Sequence, residues 1–323
     1  MKILIVRFSS IGDIVLTTPV VRCTKQQLKN VELHYLTKKS FAPILQRNPY
    51  IDRIHSLQDD WEMTISELRK EEFDLIIDLH NNLRTLRLKK ALGIKSHAFP
   101  KLNMRKWLYV NFKWKVMPDV HIVDRYFKTV ESLGVKNDGR GLDYFIPADQ
   151  EFDLNALPGS HQSGYMAFAI GGQHPGKMLP KEKKIEICRV YGRPVVLLGG
   201  KEDIPNALEI EKDVGDTIYN MVGKCSLHQS ASLIRQAEVV LTHDTGLMHI
   251  AAAFKKRIVS VWGATVPEFG MYPYLPGEGS AIIEPEGVWD RPYSKLGDNK
   301  WYKPDFKGME KIDVDEVVQA LKG

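Results

Sequence analysis

Residues 1–13 read Met1-Lys2-Ile3-Leu4-Ile5-Val6-Arg7-Phe8-Ser9-Ser10-Ile11-Gly12-Asp13. Apolar side chains at four consecutive positions, 3–6, suit a strand covered on both faces, as in a parallel sheet. Residues 75–77, Leu-Ile-Ile, repeat the signal. The polar stretch after 3–6 then falls beyond a strand's carboxyl end, where open α/β sheets bind ligands. Asp13 stands out there. If it opens the next helix, the helix dipole favours its charged form. An ionised carboxylate can act as general base toward a substrate hydroxyl, and the same residue also fits a plain N-cap. Pro19 would cost roughly 3 kcal/mol inside a helix. Thr18 as N-cap with Pro19 at the first helical position avoids that cost and leaves Asp13 in a short turn of its own. One glycine in this loop is too few for a dinucleotide fingerprint, which disfavours a Rossmann dehydrogenase.

The pattern continues along the chain of 323 residues. Strands are expected at 2–7, 31–37, 53–56, 74–78 and 96–99, with helical patterns near 14–29, 40–47, 61–71, 82–92, 102–116 and 121–133. The second half repeats it, with strands at 165–170, 194–198, 217–221, 238–242 and 257–262. Helices are expected near 180–190, 203–213, 227–236 and 246–254, with Ser226 capping the third. A last helix, 313–321, opens on Asp313 with Glu316 three residues on, a capping-box-like start. The polar, proline-bearing stretch 147–163 reads as a linker. The expectation is two domains, 1–155 and 156–323, each a doubly wound α/β parallel sheet.

The net charge of +5 is unevenly placed. Residues 1–150 hold 25 Lys+Arg against 17 Asp+Glu, and 151–323 hold 20 against 23. Residues 84–115 carry ten basic residues and no acid, which points to an anionic partner for the N-terminal half. No apolar run approaches ~18 residues, as a membrane span requires. The apolar stretch at the start ends at Arg7, too short for a secretory signal. Three cysteines, Cys23, Cys188 and Cys225, lack metal-ligand spacing and fit a reducing cytoplasm.

Three loops of the second half carry chemistry. Gly171-Gly172-Gln173-His174-Pro175-Gly176-Lys177 offers backbone N–H groups and one cation, a combination suited to a diphosphate. It also fits a flexible turn with a solvated lysine. Gly199-Gly200-Lys201-Glu202-Asp203 places acids where ribose hydroxyls can be read, or where they merely answer a helix dipole. In Asp244-Thr245-Gly246-Leu247-Met248-His249 the free N–H groups at 245–247 can face an anion. Asp244 and His249 lack a third ligand nearby in sequence, which argues against a metal.

Together these segments resemble glycosyltransferase family 9, the lipopolysaccharide heptosyltransferases. The resemblance rests on SSIGD at 9–13, TTP at 17–19, DLIIDLHNNLRT at 74–85, HIVDRY at 121–126, the Lys177 loop, Asn220 with Gly223, and DTGLMHIAAAF at 244–254. It implies a GT-B fold, two Rossmann-like domains facing a cleft, and inverting, metal-independent transfer from a nucleotide-diphosphate sugar, usually ADP-heptose. On that resemblance Asp13 is the general base. Gly172, Lys177, Glu202, Cys225, Asp244, Thr245, Gly246, Leu247 and His249 bind the donor. Ser10, Gly12, Arg84, Arg87 and Arg125 face the acceptor, an anionic lipid A–Kdo glycolipid. No cofactor or divalent ion is implied beyond the nucleotide-sugar co-substrate.

The place implied is the cytoplasm, in peripheral contact with the inner membrane, with Trp107, Tyr109, Phe112 and Trp114 interleaving the basic segment, which also fits a solvated helix face with its aromatics in the core. No nucleic-acid motif accompanies that segment. Many relatives carry cysteines near the C-terminus, whereas 291–309 has none. Segment 262–274 also differs from the threonine-rich loop of better-known members. Two other readings stand beside the transferase: a nucleotide-sugar 2-epimerase of the same fold, and a catalytically silent binding protein.

Overall fold

Apolar runs shield strands on both faces, and both sheets of the computed structural model are built from them. The structure describes residues 1–288, 291–297 and 308–323. The first sheet contains β1 (Lys2–Val6), β2 (Glu32–Lys38), β3 (Arg53–Leu57), β4 (Leu75–Asp78) and β5 (Ser96–Ala98), in the order β3-β2-β1-β4-β5. The second contains β6 (Met166–Ala169), β7 (Val195–Leu198), β8 (Ile218–Asn220), β9 (Val239–His243), β10 (Arg257–Val261) and β11 (Ala281–Ile283), in the order β11-β10-β9-β6-β7-β8. Every described strand pair is parallel. The direction of winding reverses between β1 and β4 in one sheet and between β6 and β9 in the other. Such reversal points open a crevice beyond the strand ends.

The expected strands all form, with each end within one residue of its expected place. β11 was not anticipated. Its three residues are too few to show a period, and Ile282 is exposed. The first helical stretch splits as the proline demands. Ile11–Val15 is a separate turn carrying Asp13, and the longer helix runs Thr18–Gln27. Its N-cap is Thr17 rather than Thr18. The 40–47 pattern forms a 3₁₀ turn, Lys39–Leu45, with Pro43 inside it. That suits a segment lacking one backbone donor. Ser226 caps Leu227–Gln236 through a reciprocal pair with Gln229, and Asp313 caps Val314–Lys322.

The chain divides into two compact units, but not at 155/156. The first holds Met1–Lys101 and Val120–Phe145; the second holds Leu102–Asp119 and Ile146–Gly323. Two physical reasons account for the difference. Stretch 147–163 looks like a linker in sequence, yet it is bonded into the second unit. Ser232 Oγ accepts from Phe152 N at 2.9 Å, and Arg235 pairs with Glu151 at 2.7 Å. Segment 102–119 packs into the second unit through Tyr109, which joins Val266 and Phe269 in a small apolar cluster and donates to Glu268 Oε1 at 3.2 Å. The basic run 84–115 is therefore shared between the units. The first unit carries 21 Lys+Arg against 15 Asp+Glu, and the second 24 against 25. Among the described residues, no helix is long and apolar enough to cross a membrane. Residues 298–307 of the cysteine-free C-terminal stretch lie outside the described residues.

Candidate active site

In the first unit the chain leaves β1 through a loop that Arg7 organises. Arg7 is 8% exposed and uses every face of its guanidinium. Nε donates to Ser9 O at 2.7 Å, Nη1 to Leu79 O at 2.6 Å and to the Tyr126 hydroxyl at 3.2 Å, and Nη2 pairs with Asp13 Oδ1 at 2.6 Å. The bond to Leu79 ties the loop after β1 to the loop after β4, across the reversal point. Ser10 completes the arrangement: its N–H and its hydroxyl both donate to Asp13 Oδ2, at 3.1 and 2.9 Å. Burial alone would raise the Asp13 carboxyl. The Arg7 charge and the Ser10 hydrogen bonds outweigh it and pull the pKa down to about 2. Asp13 is therefore a standing anion, one-fifth exposed, at the carboxyl edge of the sheet. Capping and catalysis are compatible here, because the carboxylate that caps the turn is the one left reachable.

Segment 74–85 serves mainly as scaffold. Asp78 is fully buried, accepts from His80 N and Asn81 N through Oδ1, and pairs with Lys89 through Oδ2 at 2.9 Å. Asn82 caps Leu83–Leu92 by accepting from Thr85 N at 2.9 Å. That helix presents Arg84 and Arg87 to solvent. Arg84 lies over the Phe8 ring at 6.0 Å, and Arg87 over Trp61 at 5.3 Å. Both line a cavity of about 990 Å³, where they meet Lys38 and Lys39 at the end of β2, with Asp59 as the acidic member. A neighbouring cavity of about 460 Å³ adds Phe8, Ser9 and His80. His80 is held neutral, its pKa lowered to about 4 by burial and then by Arg7. Gly12 is buried beneath Asp13, and Ser10 is exposed. Arg125 is 3% exposed, an interior residue rather than one on the cavity wall.

In the second unit two loops converge where β6 and β9 lie side by side. Gly172 approaches the Thr245 methyl so closely that an added Cβ would stand 3.4 Å from it and 3.1 Å from Met178. Thr245 is the N-cap of the helix Gly246–Ala253, and its own side chain makes no capping hydrogen bond to the first N–H groups. Lys177 closes the turn after β6, and its ammonium pairs with Asp244 Oδ2 at 2.6 Å. Thr265 Oγ1 donates to the same oxygen at 3.1 Å. Arg291 holds the Thr265 loop from below, donating to the backbone oxygens of Gly263, Trp262 and Thr265. A lysine, a carboxylate and a bare helix end thus share one spot, arranged to hold an anion next to a hydroxyl-bearing group.

Other donor-side candidates are more scattered. Glu202 is exposed and its carboxylate lies over Gly200, where a Cβ would meet it at 2.5 Å. Cys225 stands in the loop before Leu227–Gln236 with its thiol pushed up to about 11 by burial, so it is no nucleophile at neutral pH. His249 is 2% exposed, inside the second unit. Sequence reasoning missed Arg7, Lys38, Lys39, Thr265 and Arg291. Arg7 and Lys38 read in the sequence only as the charged ends of apolar strands, which does not show that Arg7 turns inward. Thr265 and Arg291 carried no signal, because only folding brings 265 and 291 to Asp244's loop.

Two doubly wound parallel sheets, one with a fixed carboxylate at its reversal point and one with a lysine beside a helix start, are the architecture of a two-domain glycosyltransferase. The comparisons agree. The family described as glycosyltransferase family 9 (heptosyltransferase) matches residues 62–278, about two thirds of the chain. The chain belongs to that family and is a glycosyltransferase. It is similar to lipopolysaccharide heptosyltransferase 1 of Campylobacter coli, 22% identical with 82% of this chain and 84% of that one covered. It is similar also to lipopolysaccharide heptosyltransferase 3 of Escherichia coli, 24% identical with 96% and 94% covered. A family 9 glycosyl transferase from Veillonella parvula has the same fold, with a TM-score of 0.78 at 20% identity over 99% of this chain and 96% of that one. So has the E. coli ADP-heptose heptosyltransferase II, with a TM-score of 0.75 at 19% identity over 100% and 98%. These neighbours have the GT-B fold.

Proposed function

We propose that this glycosyltransferase moves a heptose from ADP-heptose to the anionic core of lipopolysaccharide, the lipid A–Kdo region, with inversion and without a divalent ion. The observation that carries the acceptor side is the cavity beside the Asp13 loop. Lys38, Lys39, Arg84 and Arg87 line it against one acid, Asp59. Such a wall suits phosphates and carboxylates. The relatives named above are lipopolysaccharide heptosyltransferases, which supports the same acceptor.

Asp13 takes the proton of the attacking hydroxyl. With a pKa near 2 it is a weak base, so the proton moves late, when bond formation to the anomeric carbon has made that hydroxyl acidic. Attack opposite the leaving group inverts the centre. In the second unit, Lys177 and the N–H groups at Thr245–Leu247 stabilise the charge gathering on the departing diphosphate, a role that a metal ion plays elsewhere. Asp244 holds Lys177 in place through their ion pair and offers an oxygen to a sugar hydroxyl. Gly172 leaves room for the phosphates, Glu202 reads the ribose, and the backbone at Cys225 lies against the base. His249 and Arg125 act from the interior, as supports for the loops above them. Acceptor binding is assigned to the first unit and donor binding to the second.

Peripheral membrane contact belongs to the same reading. On the helix Asn103–Phe112 and just beyond it, Met104, Trp107, Phe112 and Trp114 are exposed among Arg105, Lys106 and Lys115. Exposed aromatics beside cations suit an anionic lipid surface on the cytoplasmic side. Calorimetry with ADP, UDP, GDP and CDP tests the donor, and transfer assays in EDTA test the metal. ADP preference with undiminished transfer in EDTA is expected. Preference for UDP or GDP, or a metal requirement, overturns the reading.

A further inference from the structure

The amino-terminal half of the first sheet carries a cluster that sugar transfer does not use. His34 is the third residue of β2 and His55 the third of β3, on adjacent parallel strands. Both are nearly withdrawn from solvent, at 1% and 8% exposure. His34 Nδ1 and His55 Nε2 are 2.9 Å apart. Glu71, between the helix Trp61–Arg69 and β4, brings Oε2 to 3.9 Å from His34 Nδ1. One donor atom from each of the three lies within 4.8 Å of the others. The second ring nitrogen of His34 stands 2.8 Å from Glu32 Oε1.

We propose that His34, His55 and Glu71 form a binding site for a zinc-class divalent transition-metal ion, separate from the transfer site. Two imidazole nitrogens and one carboxylate oxygen are the donor set that such borderline cations take. Donors about 2.0–2.1 Å from a tetrahedral ion stand about 3.3 Å apart. The histidine nitrogens therefore part by a few tenths of an ångström while Glu71 moves in. Three protein ligands leave a fourth position for water. Glu32 acts through His34. By accepting the Nε2–H it fixes the ring's tautomer and leaves the Nδ1 lone pair facing the cluster. His55 offers its Nε2 lone pair when its ring proton resides on Nδ1, so no proton need leave the neutral pair.

The cluster has a built-in competitor. Lys2 Nζ lies 3.2 Å from Glu71 Oε2 and 3.6 Å from Glu32 Oε1. Arg53 occupies the other Glu71 oxygen, Oε1. An arriving cation takes Oε2 from Lys2, whose ammonium keeps Glu32. Binding joins β2, β3 and the segment before β4 without touching Asp13, so the expected consequence is stability rather than turnover.

The test uses the full chain stripped with EDTA and exchanged into metal-free buffer. Zn²⁺ is titrated by calorimetry, and Co²⁺ by visible absorption. One ion per chain, Co²⁺ bands of a four- or five-coordinate nitrogen–oxygen site, and a Zn²⁺-dependent rise in Tm are expected. His55→Gln and Glu71→Gln weaken binding at least tenfold, and Lys2→Met tightens it severalfold because the competing ammonium is gone. Should His55→Gln fail to fold, the partly exposed positions Glu71 and Lys2 decide. Absence of stoichiometric binding overturns the proposal. So does equal affinity in the wild type, Glu71→Gln and Lys2→Met, which would mark adventitious metal. The outcome is independent of which sugar the enzyme transfers.

Discussion

Asp13 and Arg7 form a partly buried ion pair that, on the proposed function, makes Asp13 a weaker base. The folded pKa of Asp13, about 2, lies below the ordinary 3.8. The pair's contribution to stability is therefore present above about pH 4 and is lost as pH falls through about 2. The same shift means that no acid limb from Asp13 should appear in kcat/KM between pH 4 and 8. Arg7→Gln removes the guanidinium but not the burial, so Asp13 titrates higher and an acid limb enters the measurable range. A limb near pH 6 in the wild type would move the base role to another group. Asp13→Ala should lower transfer by roughly 10²–10⁴-fold while ADP binding by calorimetry changes less than twofold. Wild-type turnover in that variant would sink the assignment. Asp13 itself was legible in the sequence, as an acid just beyond an apolar strand. Its partner was not, because Arg7 reads as the ordinary charged end of a strand until folding turns it inward.

At the scale of elements, local chemistry was read most reliably. Apolar runs marked the strands, and the cap residues marked helix starts: Ser226 with Gln229, and Asp313 with Glu316. These signals act over three or four residues, so they survive without tertiary information. Ser226→Ala should cost about 1 kcal/mol, seen as a lower urea midpoint. An unchanged midpoint would mean that Gln229 and the neighbouring Gln150 replace the lost hydroxyl. Elements defined by partners were harder. β11 is a strand only because Val259–Val261 lies beside it in register. Helix Asn103–Phe112 was expected, but its membership of the second unit was not. Tyr109 decides that, and an aromatic in a basic run does not announce which core it joins.

For the whole molecule, charge differs between the two units. The first unit carries an excess of six positive charges and the second a deficit of one. On the proposed function, long-range attraction of an anionic acceptor acts on the first unit, while the donor depends on placed groups, Lys177 and the helix end at Gly246. Charge reversal at Arg84 and Arg87 should raise the acceptor KM more than tenfold, most strongly at low salt, with ADP affinity within twofold. Equal loss of both would show that those arginines hold the fold instead.

By itself the sequence determined the α/β class, the doubly wound halves, the family and most residues at the strand ends. Each of these is written in local patterns: runs of apolar residues, caps, and short motifs that follow strands. Only the tertiary structure decided where the units divide, which cations share a cavity, and which groups hold Asp13 and Asp244. Lys38 lies 46 residues from Arg84, and Thr265 lies 21 from Asp244. Contacts at such separations depend on strand order and loop closure, and no period or spacing in the chain encodes them.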